Sequence, residues 1–551
     1  MMRRQTFLVL LLWMASIVYC QLPYDPSPFD ITGTINSMSL DAGGPLAGGS
    51  ITVDGLIITI PQNLLVTLPS ITVSWPEMFN NGVSNIPGGI SWEANVVGNR
   101  VGGKFIAGLV YIAQRSTQTV QGFVTSIDLA TGHFQINNGT DCVINDPIGR
   151  YGRPYSENPL WQADPDNPSI HTQTGIPMCI PRSSSDPLCP SKNRPLGANG
   201  APLSIFTFKD PSSIGANDPD ARLMVPLLVG DYVEVSGTFI GGLLEVNSLN
   251  ANLQFLTSPG TKPTYLWVEE AIYAVVTTQP GGANGETRAV VWSSDPSTPI
   301  QWFAMDVDAC SGDVTERNLN LMQPTSGGPP LGRAVYRPGK TDVSPATRQV
   351  GFRVSSGVMT TSNNITAGQY IQPIFSYTFP ELTAFGTPMF PNLFDVMPYL
   401  AQGSGPYTPG TFGRPAPSTE VIVGQLSPWP GASAPSTTSC APKPTLPPTT
   451  LSTTATSSVP ASTKVAVPKD TITILSASQS SLRGVITVTA SASSNNPDAK
   501  LTMSVQGPNP ISSTAMTQSG NTFSLSVSVK SKGTSVTITS QFGGSATLAI
   551  K

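Results

Sequence analysis

Short apolar runs with a period of two residues recur along most of the chain, and they restrict its fold more than any other feature of the sequence. Residues 50–53 and 56–60 are examples, and glycine and proline, 51 and 53 of the 551 residues, separate such runs. Alternation puts successive side chains on opposite faces of a strand, and glycine and proline form the turns. Only 11% of the residues are charged, which argues against long, salt-bridged helical bundles. The pattern predicts an all-β, multidomain protein.

The alternating runs and the turn-rich stretches divide the chain into segments. We expect a signal peptide at 1–20, an N-terminal β region at 21–100, a β-barrel at 101–260 with a Pro- and Cys-rich insertion at 141–202, a second β subdomain at 261–402, a Ser/Thr/Pro-rich linker at 403–469 and a β-sandwich at 470–551. Within the linker, residues 432–463 have too few apolar residues to offset chain entropy, so we expect a disordered, O-glycosylated stalk there. The final segment has five alternating runs with turns between them, which is typical of an Ig-like sandwich.

The first twenty residues have the layout of a secretory signal. Arg3 and Arg4 precede an apolar run at 7–18, and we expect cleavage near Cys20. The run is too short to cross a bilayer comfortably, no later stretch is apolar enough to do so, and the C-terminus lacks the apolar tail of a lipid-anchor signal. The sequence predicts a secreted, extracellular or cell-wall-associated protein without a membrane anchor. The net charge of −4 argues against a nucleic-acid partner.

Cleavage after Cys20 leaves an odd number of cysteines in an oxidising compartment. They are Cys142, Cys179, Cys189, Cys310 and Cys440. At least one must be free or form an intermolecular bond. Cys179 and Cys189 bracket a short Pro-rich loop and are the better candidates for a disulfide, whereas Cys142 and Cys310 are a second candidate pair. Because neither histidine has a closely spaced Cys partner, we expect structural disulfides rather than a metal site.

Two sequons, at Asn138 and Asn364, match the rule for N-linked glycosylation. Both occur in stretches with the composition of turns. In a secreted protein we expect both asparagines to be modified.

No carboxylate or histidine of the sequence has the spacing typical of a catalytic group. Glu269 and Glu270 are adjacent in a predicted strand and should lie on opposite faces. A glycosidase needs two carboxylates across a cleft, and a second one would have to come from elsewhere. The acidic residues considered for that role are Glu93, Asp146 and Asp306.

A calcium-binding loop and a Ser-His-Asp triad each lack a residue that the site requires. Asp306, Asp308 and Asp313 have spacings that a calcium ion could use, but Cys310 interrupts the pattern and no glutamate closes the loop. His133 and His171 lack a Gly-x-Ser-x-Gly elbow that would supply a nucleophile. We therefore predict no catalytic residue, no cofactor and no metal.

Tryptophans offer a different kind of site, because an exposed aromatic face can stack on a sugar ring. Trp267 and Trp302 lie in predicted strands and should be core residues. Trp161, in the insertion, and Trp429, beside the linker, are the candidates for sugar stacking.

Two resemblances add to this interpretation. Residues 122–132 and 229–239 resemble parts of the OB-like barrels found in extracellular proteins, here interrupted by a long loop. Residues 302–312 and 181–190 are similar to a group of uncharacterised secreted β-rich proteins of filamentous fungi. The second resemblance covers roughly residues 30–400 and implies secretion but no mechanism.

Together these features favour a secreted, glycosylated, non-enzymatic protein of the cell surface or the cell wall and matrix. It would bind polysaccharide or act in adhesion, with cell-wall polysaccharide or a surface protein as partner. One alternative is a secreted carbohydrate-active hydrolase, which should have a cleft with two carboxylates and several tryptophans, whereas a binding module should have a flat aromatic strip. The other is a secreted effector that binds a host protein, for which a free cysteine would be a clue.

Overall fold

The computed structural model describes most of residues 25–437 and the strands of the C-terminal segment. The described ranges are 25–87, 92–114, 118–272, 287–328, 330–337, 346–373, 391–410, 420–437, 472–482, 485–494, 501–506, 511–519, 522–529, 535–540 and 545–550. Strands account for 49% of the residues and helices for 4%, which confirms the all-β class. The chain forms two compact units, Met1–Lys443 and Pro444–Lys551. The predicted signal peptide, Cys440 and most of the predicted stalk lie outside the described residues.

The first nine strands form a closed barrel and, from the sixth and seventh strands, a separate two-stranded sheet. They are β1 (Ser27–Leu40), β2 (Gly49–Val53), β3 (Leu56–Ile60), β4 (Leu65–Thr67), β5 (Thr72–Ser74), β6 (Phe79–Asn80), β7 (Val83–Ser84), β8 (Trp92–Val101) and β9 (Lys104–Gln114). The sheet order is β3-β2-β1-β8-β9-β4-β5, and β3 also pairs in parallel with β9, which closes the ring. Asp54 and Gly55, both with positive φ, make the tight turn between β2 and β3. Because β8 and β9 are one hairpin, the predicted boundary at residue 100 is wrong, and this region extends to Gln114.

A second barrel follows with the same strand order. The strands of this part of the chain are β10 (Gln118–Ile127), β11 (His133–Ile136), β12 (Thr140–Ile144), β13 (Ile170–Thr172), β14 (Met178–Cys179), β15 (Ile205–Thr207), β16 (Val225–Pro226), β17 (Tyr232–Ile240), β18 (Leu243–Ala251) and β19 (Gln254–Leu256). The order is β12-β11-β10-β17-β18-β13, and β12 pairs in parallel with β18. A closed five-stranded barrel is the arrangement that the OB-like resemblance implies. The first barrel repeats it, which the sequence analysis did not foresee.

The long insertion lies between β12 and β17, so it begins after residue 144 and continues to 231, further than the predicted 141–202. It contains little regular structure, but it is fastened to the barrel. The guanidinium of Arg194 makes two hydrogen bonds to the carboxylate of Asp231, at 2.6 and 2.8 Å. Buried residues of the insertion, such as Ile176 and Met178, share a core with barrel residues such as Val235. The insertion is therefore an ordered part of the fold.

A third set of strands packs on the first barrel. They are β20 (Leu266–Ile272), β21 (Arg288–Ser293), β22 (Ile300–Val307), β23 (Val314–Met322), β24 (Arg333–Tyr336), β25 (Gln349–Val354), β26 (Met359–Thr360), β27 (Thr366–Ala367), β28 (Gln369–Pro373), β29 (Gly405–Tyr407) and β30 (Val421–Val423). The two larger sheets have the orders β20-β21-β24 and β23-β22-β25-β28. Trp302 and Phe352 of the second sheet belong to the same core as Trp75 and Val96 of the first barrel. This region and the first barrel thus share one interior.

Residues 391–437 also belong to the first unit. The short helix α1 (Pro398–Ala401) and the β29–β30 pair lie here, and Leu426 is buried in the shared core. The buried amide of Asn99 donates to the carbonyl oxygens of Asn392 and Pro430, at 2.8 and 2.7 Å. The predicted start of the linker at residue 403 is therefore too early, because residues 404–410 and 420–437 contribute ordered structure.

The C-terminal unit is a sandwich of two antiparallel sheets. Its strands are β31 (Ile472–Leu482), β32 (Val485–Ser494), β33 (Leu501–Gln506), β34 (Ile511–Ala515), β35 (Thr517–Ser519), β36 (Thr522–Val529), β37 (Ser535–Ser540) and β38 (Ser545–Ala549). The sheets have the orders β31-β32-β36-β35 and β34-β33-β37-β38. Leu501, Phe523 and Val536 are among the residues of the core. This order is that of an Ig-like sandwich, with A, B, E and D in one sheet and C, F and G in the other, where β34 adds a fourth strand beside C.

The cysteines follow the predictions in part. Cys179 and Cys189 form a disulfide, as predicted. Cys142 is free and buried on β12, whereas Cys310 is disulfide-bonded, so the predicted Cys142–Cys310 pair is wrong. The reason is burial, since alternation along β12 points Cys142 into the interior of the second barrel. Burial raises the pKa of the Cys142 thiol to about 12.

Candidate functional site

A cleft of about 600 Å³ lies where several parts of the first unit meet. Its walls come from the β4–β5 connection, the insertion around residues 164–167, strands β22, β25 and β28, and β29. Apolar side chains such as Ile71, Met305 and Val314 alternate with groups that form hydrogen bonds. The polar groups on which the argument depends are Asp164, Asp166, Arg348, Gln349 and Tyr407.

One wall of the cleft is a turn held by its own carboxylate. Asp164 accepts hydrogen bonds from the backbone N–H groups of Asp166 and Asn167, at 2.8 and 3.0 Å, and from the Asn167 amide at 2.8 Å. Asn167 also exchanges hydrogen bonds with the backbone of Ile371 on β28, so the turn is fixed to the opposite sheet. Burial raises the pKa of Asp164 to about 6, although the hydrogen bonds from Asn167 act in the other direction.

Arg348 lies on another wall and has no anionic partner there. Among the described residues, seven other arginines form salt bridges with carboxylates, whereas no carboxylate of this part of the chain pairs with Arg348. Burial lowers the pKa of Arg348, an effect that the nearby phenols of Tyr407 and Tyr399 oppose. An arginine remains charged under all ordinary conditions. The cleft therefore contains a cation whose charge the surrounding described residues do not neutralise.

Tyr407 is held in place by a buried carboxylate. Its hydroxyl donates to Glu77, which also accepts from the backbone N–H of Gly410 at 2.5 Å and from both the N–H and the hydroxyl of Ser74 at 2.8 Å. Burial and the charge of Glu77 raise the pKa of Tyr407, so the phenol stays protonated. This network fixes β29 against the first barrel and sets the shape of that side of the cleft.

The carboxylates considered in the sequence as a catalytic pair are engaged elsewhere. Glu269 accepts from the Trp292 indole at 2.7 Å and pairs with Arg333 at 3.1 Å, and Glu270 pairs with Arg288. A bulge in β20 lies between Val268 and Glu270, and the two glutamates contact different arginines. Burial alone would raise the pKa of Glu269, but the hydrogen bonds from Arg333 and Trp292 outweigh it and lower the pKa.

The other acidic candidates lie apart from one another and outside the cleft. Asp306 forms two hydrogen bonds with Arg317, at 2.6 and 2.9 Å. Asp146 is buried, accepts from the N–H of Tyr151 at 2.6 Å and has a pKa raised by burial. Glu93 lies half-buried on β8. None of the three lines the cleft.

The carboxylates considered for calcium form an ordinary turn. Asp308 accepts from the N–H groups of Cys310 and Ser311, at 3.0 and 2.7 Å, and the Ser311 hydroxyl joins Asp308 to Asp313. In the described part of the chain, no group of three or more His, Cys, Asp and Glu side chains is placed to hold a metal ion.

The histidines have separate surroundings. His171 is buried on β13 against Trp267, with ring centroids 4.7 Å apart, and its Nδ1 lies 2.8 Å from the carbonyl oxygen of Thr172. Burial lowers its pKa to about 4, so the ring is neutral at pH 7. His133 is half-buried on β11.

The two predicted sugar-stacking tryptophans differ in exposure. Trp161 is only 1% exposed and packs on Trp92, with ring centroids 4.1 Å apart, although its edge reaches a second cavity of about 440 Å³. Trp429 is half-buried against the shared core. The expectation of exposure was wrong for Trp161, because its ring packs on Trp92, which is distant in sequence, whereas Trp429 keeps part of its surface accessible. Trp302 is a core residue, as predicted.

The second barrel has an exposed aromatic pair that was not predicted from the sequence. Phe123 and Tyr232 face each other across β10 and β17, with ring centroids 5.2 Å apart and planes at 79°. Their neighbours Val124 and Val233 are buried, so alternation along each strand places the aromatic rings outside. That alternation was the signal available in the sequence. The rings are nearly perpendicular and do not form a flat strip.

Both predicted glycosylation sites lie at accessible turns. Asn138 is exposed in the turn between β11 and β12, and Asn364 is exposed between β26 and β27. Both residues have positive φ, at 56° and 59°, a conformation that asparagine adopts more readily than most residues. Among the described residues, no helix is long and apolar enough to span a membrane.

Comparisons with known proteins add little. No protein-family model matches the sequence, and no curated protein matches it. One solved structure, the exo-chitosanase CsxA of Amycolatopsis orientalis, aligns with 95% of this chain and 75% of its own, at 8% identity and a TM-score of 0.15. A similarity this low supports no statement about fold or function.

Proposed function

We propose that this is a secreted, glycosylated, non-enzymatic protein of the cell surface or the cell wall and matrix, and that its cleft binds polysaccharide. The observation that carries the proposal is the cleft itself. It has the volume of a ligand site, and its apolar surfaces alternate with groups that donate and accept hydrogen bonds. A sugar chain has the same mixture, with apolar ring faces and hydroxyl groups at their edges.

The state of the carboxylates favours binding over catalysis. Asp164 and Asp166 are two residues apart on one turn, and both oxygens of Asp164 accept hydrogen bonds within that turn. A glycosidase places its two carboxyl groups on either side of the scissile bond. Glu269, Glu270 and Asp306 are neutralised by arginines outside the cleft.

A carbohydrate-active hydrolase is the second candidate, and one observation favours it. Asp164 lines the cleft, and burial raises its pKa to about 6, which is the property of a general acid. No tryptophan lines the cleft among the described residues. If the protein is a hydrolase, Asp164→Asn should abolish the release of reducing sugar, whereas a binding protein releases none before or after this change.

The cysteines of the described residues do not support the alternative of an effector that binds a host protein. The free cysteine of the described chain, Cys142, is buried in the second barrel and has a raised pKa. A covalent bond to a partner requires an accessible thiolate. The effector alternative would be favoured only if the protein bound no polysaccharide.

A pelleting assay tests the proposal with a matched pair of variants. Val314 lines the cleft and is 48% exposed, and Val335 lies on β24 outside the cleft and is 47% exposed. Tryptophan at either position replaces an exposed valine of a β-strand, so both variants should fold. The protein would be mixed with insoluble chitin, β-glucan and cellulose, and with insoluble acidic wall polymers, and the pellet, supernatant and released sugar would be measured.

We expect the protein to pellet with at least one polymer without releasing sugar. Val314→Trp should reduce this binding because the indole fills part of the cleft, and Val335→Trp should leave it unchanged. Equal binding by both variants would place the binding surface elsewhere, with the Phe123–Tyr232 pair as the next candidate. Release of sugar would refute the non-enzymatic proposal, and an absence of pelleting with every polymer would refute polysaccharide binding.

A further inference from the structure

Arg348 carries an inference about which polysaccharides enter the cleft. Arg348 lines a space of about 600 Å³, and among the described residues its side chain has neither an ion pair nor a hydrogen bond. Seven other arginines of this unit pair with carboxylates, some at half-exposed positions, as Arg353 does with Glu316 at 2.6 Å and Arg333 with Glu269 at 3.1 Å. Arg150 is half-buried and also lacks a salt bridge among the described residues, but it does not line the cleft. A partly buried cation without a partner loses hydration and receives nothing in return, so an anionic ligand in the cleft would supply the interaction that Arg348 lacks.

The chemistry of guanidinium restricts the ligand. Its planar, forked donors match the two oxygens of a carboxylate, and such paired hydrogen bonds are among the strongest in proteins. The phenol of Tyr407 lies close to Arg348 in the same cleft, but it donates its single proton to Glu77. The guanidinium of Arg348 is therefore the charged donor on this side of the cleft, and it suits an anionic group better than a neutral hydroxyl group.

The acidic side of the cleft restricts the ligand further. Asp164 and Asp166 line it as well, and they would repel a polymer with a dense array of negative charges. A polysaccharide with one carboxylate per sugar ring has hydroxyl groups between its carboxylates. A carboxylate of this chain could pair with Arg348 while hydroxyl groups form hydrogen bonds with Asp166 or Gln349. The net charge of −4 gives the protein no general attraction to polyanions, so such binding would depend on this local arrangement.

We infer that the cleft binds polysaccharides built from uronic acids, with the sugar carboxylate paired to Arg348. This inference rests on the proposed function and names the ligand class for the same site. It predicts that removing the carboxylates of the polymer and removing the charge of Arg348 weaken binding to the same extent. It also predicts that binding weakens as salt concentration rises, because salt screens an ion pair that is accessible to solvent.

The experiment removes each charge separately. Labelled polygalacturonate, alginate and polyglucuronate would be compared with the same polymers after their carboxyl groups have been reduced to alcohols. A sulfated dextran and a neutral β-glucan would be included as further ligands. The full-length protein would be compared with Arg348→Gln, with Arg348→Lys and with Arg337→Gln, which removes one positive charge at an exposed position outside the cleft.

The unchanged protein should bind at least one uronate polymer on the order of tenfold or more tightly than its reduced form. Arg348→Gln should lose this preference, Arg348→Lys should keep part of it, and Arg337→Gln should keep all of it. If Arg348→Gln does not fold, the comparison of native and reduced polymers with the unchanged protein decides the question.

The outcomes separate the two proposals. Equal binding of native and reduced polymers, an unaffected Arg348→Gln variant, or a preference for the sulfated polymer would overturn the inference and leave polysaccharide binding standing. Binding to none of the polymers, neutral or acidic, would refute the proposed function and the inference together.

Discussion

The buried pair of Arg194 and Asp231 should be the strongest single attachment between the insertion and the second barrel. Two parallel hydrogen bonds of 2.6 and 2.8 Å join them, and their side chains are only 4% and 6% exposed. Arg194 also donates to the carbonyl oxygen of Pro226 at 3.0 Å, and Asp231 accepts from the N–H of Leu228 at 2.8 Å. The pair thus fixes the insertion at the start of β17.

Asp231→Asn keeps the shape of the side chain but leaves the buried guanidinium without an anion. Two unit charges about 4 Å apart interact by about 4 kcal/mol at an effective dielectric constant of about 20. Removing one partner of such a pair typically costs about 3–5 kcal/mol, because the remaining charge stays buried. We expect a loss of this size for Asp231→Asn and for Arg194→Met. The double change Arg194→Met with Asp231→Leu should cost less than the sum of the two single changes, because it leaves no charge behind.

Urea unfolding, combined with hydrogen exchange of peptides from residues 145–231, would measure the effect locally, since a chain with two units need not unfold in one step. The exposed pair of Lys209 and Asp218, with side chains 60% and 31% exposed, is the control. Asp218→Asn should leave the exchange pattern unchanged, because exposed ion pairs contribute little. If Asp231→Asn behaved like Asp218→Asn, the reasoning about the buried pair would be refuted.

Four further predictions concern other parts of the first unit. Replacing Cys179 and Cys189 by alanine opens a loop with a sequence separation of 10 and should lower the free energy of unfolding by about 3 kcal/mol. If reduction of the unchanged protein left its urea midpoint unchanged, this prediction would be contradicted. The folded pKa of His171, about 4, lies below its unfolded value of about 6.5, so its contribution to stability is complete above pH 6.5 and is lost as the pH falls towards 4, by up to about 3 kcal/mol. Asp164, with a folded pKa raised to about 6, acts in the opposite direction, since its contribution is complete below pH 3.8 and is lost as the pH rises through 6. The free energy of unfolding of His171→Phe should therefore fall less between pH 6.5 and 4 than that of the unchanged protein. If the two proteins lost stability in parallel over this pH range, the lowered pKa of His171 would be disproved. Cys142 should resist a thiol reagent in the native protein and react after denaturation, and rapid native labelling would show that β12 opens or that the cysteine is accessible. Asn138→Gln and Asn364→Gln should each remove one glycan from protein secreted by a eukaryotic host, as seen by electrophoresis before and after enzymatic deglycosylation, and an unchanged mobility would refute modification at that site.

The features that local pattern determines were predicted from the sequence. Alternation along each run depends only on neighbouring residues, and it correctly predicted the all-β class, many of the strands of the first unit and the strands of the C-terminal sandwich. The close spacing of Cys179 and Cys189 predicted their disulfide, because a short loop brings its own ends together. The OB-like resemblance of residues 122–132 and 229–239 corresponds to strands β10 and β17, which pair in the second barrel.

Features that depend on distant residues could not be predicted in the same way. The first barrel is closed by the parallel pairing of β3 with β9, and no local signal in either strand specifies that contact. Trp161 lies in a stretch that reads as an exposed loop, yet it is buried because Trp92 of the first barrel packs against it. The same applies to Leu426, which lies in the segment predicted as linker and is buried in the shared core.

The candidate site belongs entirely to this second group. Asp164, Arg348 and Tyr407 come from three parts of the chain that are far apart in sequence, and each residue by itself looks ordinary. Whether an arginine is paired depends on which carboxylates the fold brings within reach, and that is a property of packing. The sequence alone therefore determined the fold class, the ordered insertion and its disulfide, because these follow from local chain geometry. The cleft and the unpaired charge of Arg348 were decided only by the tertiary structure, because they depend on contacts between distant segments.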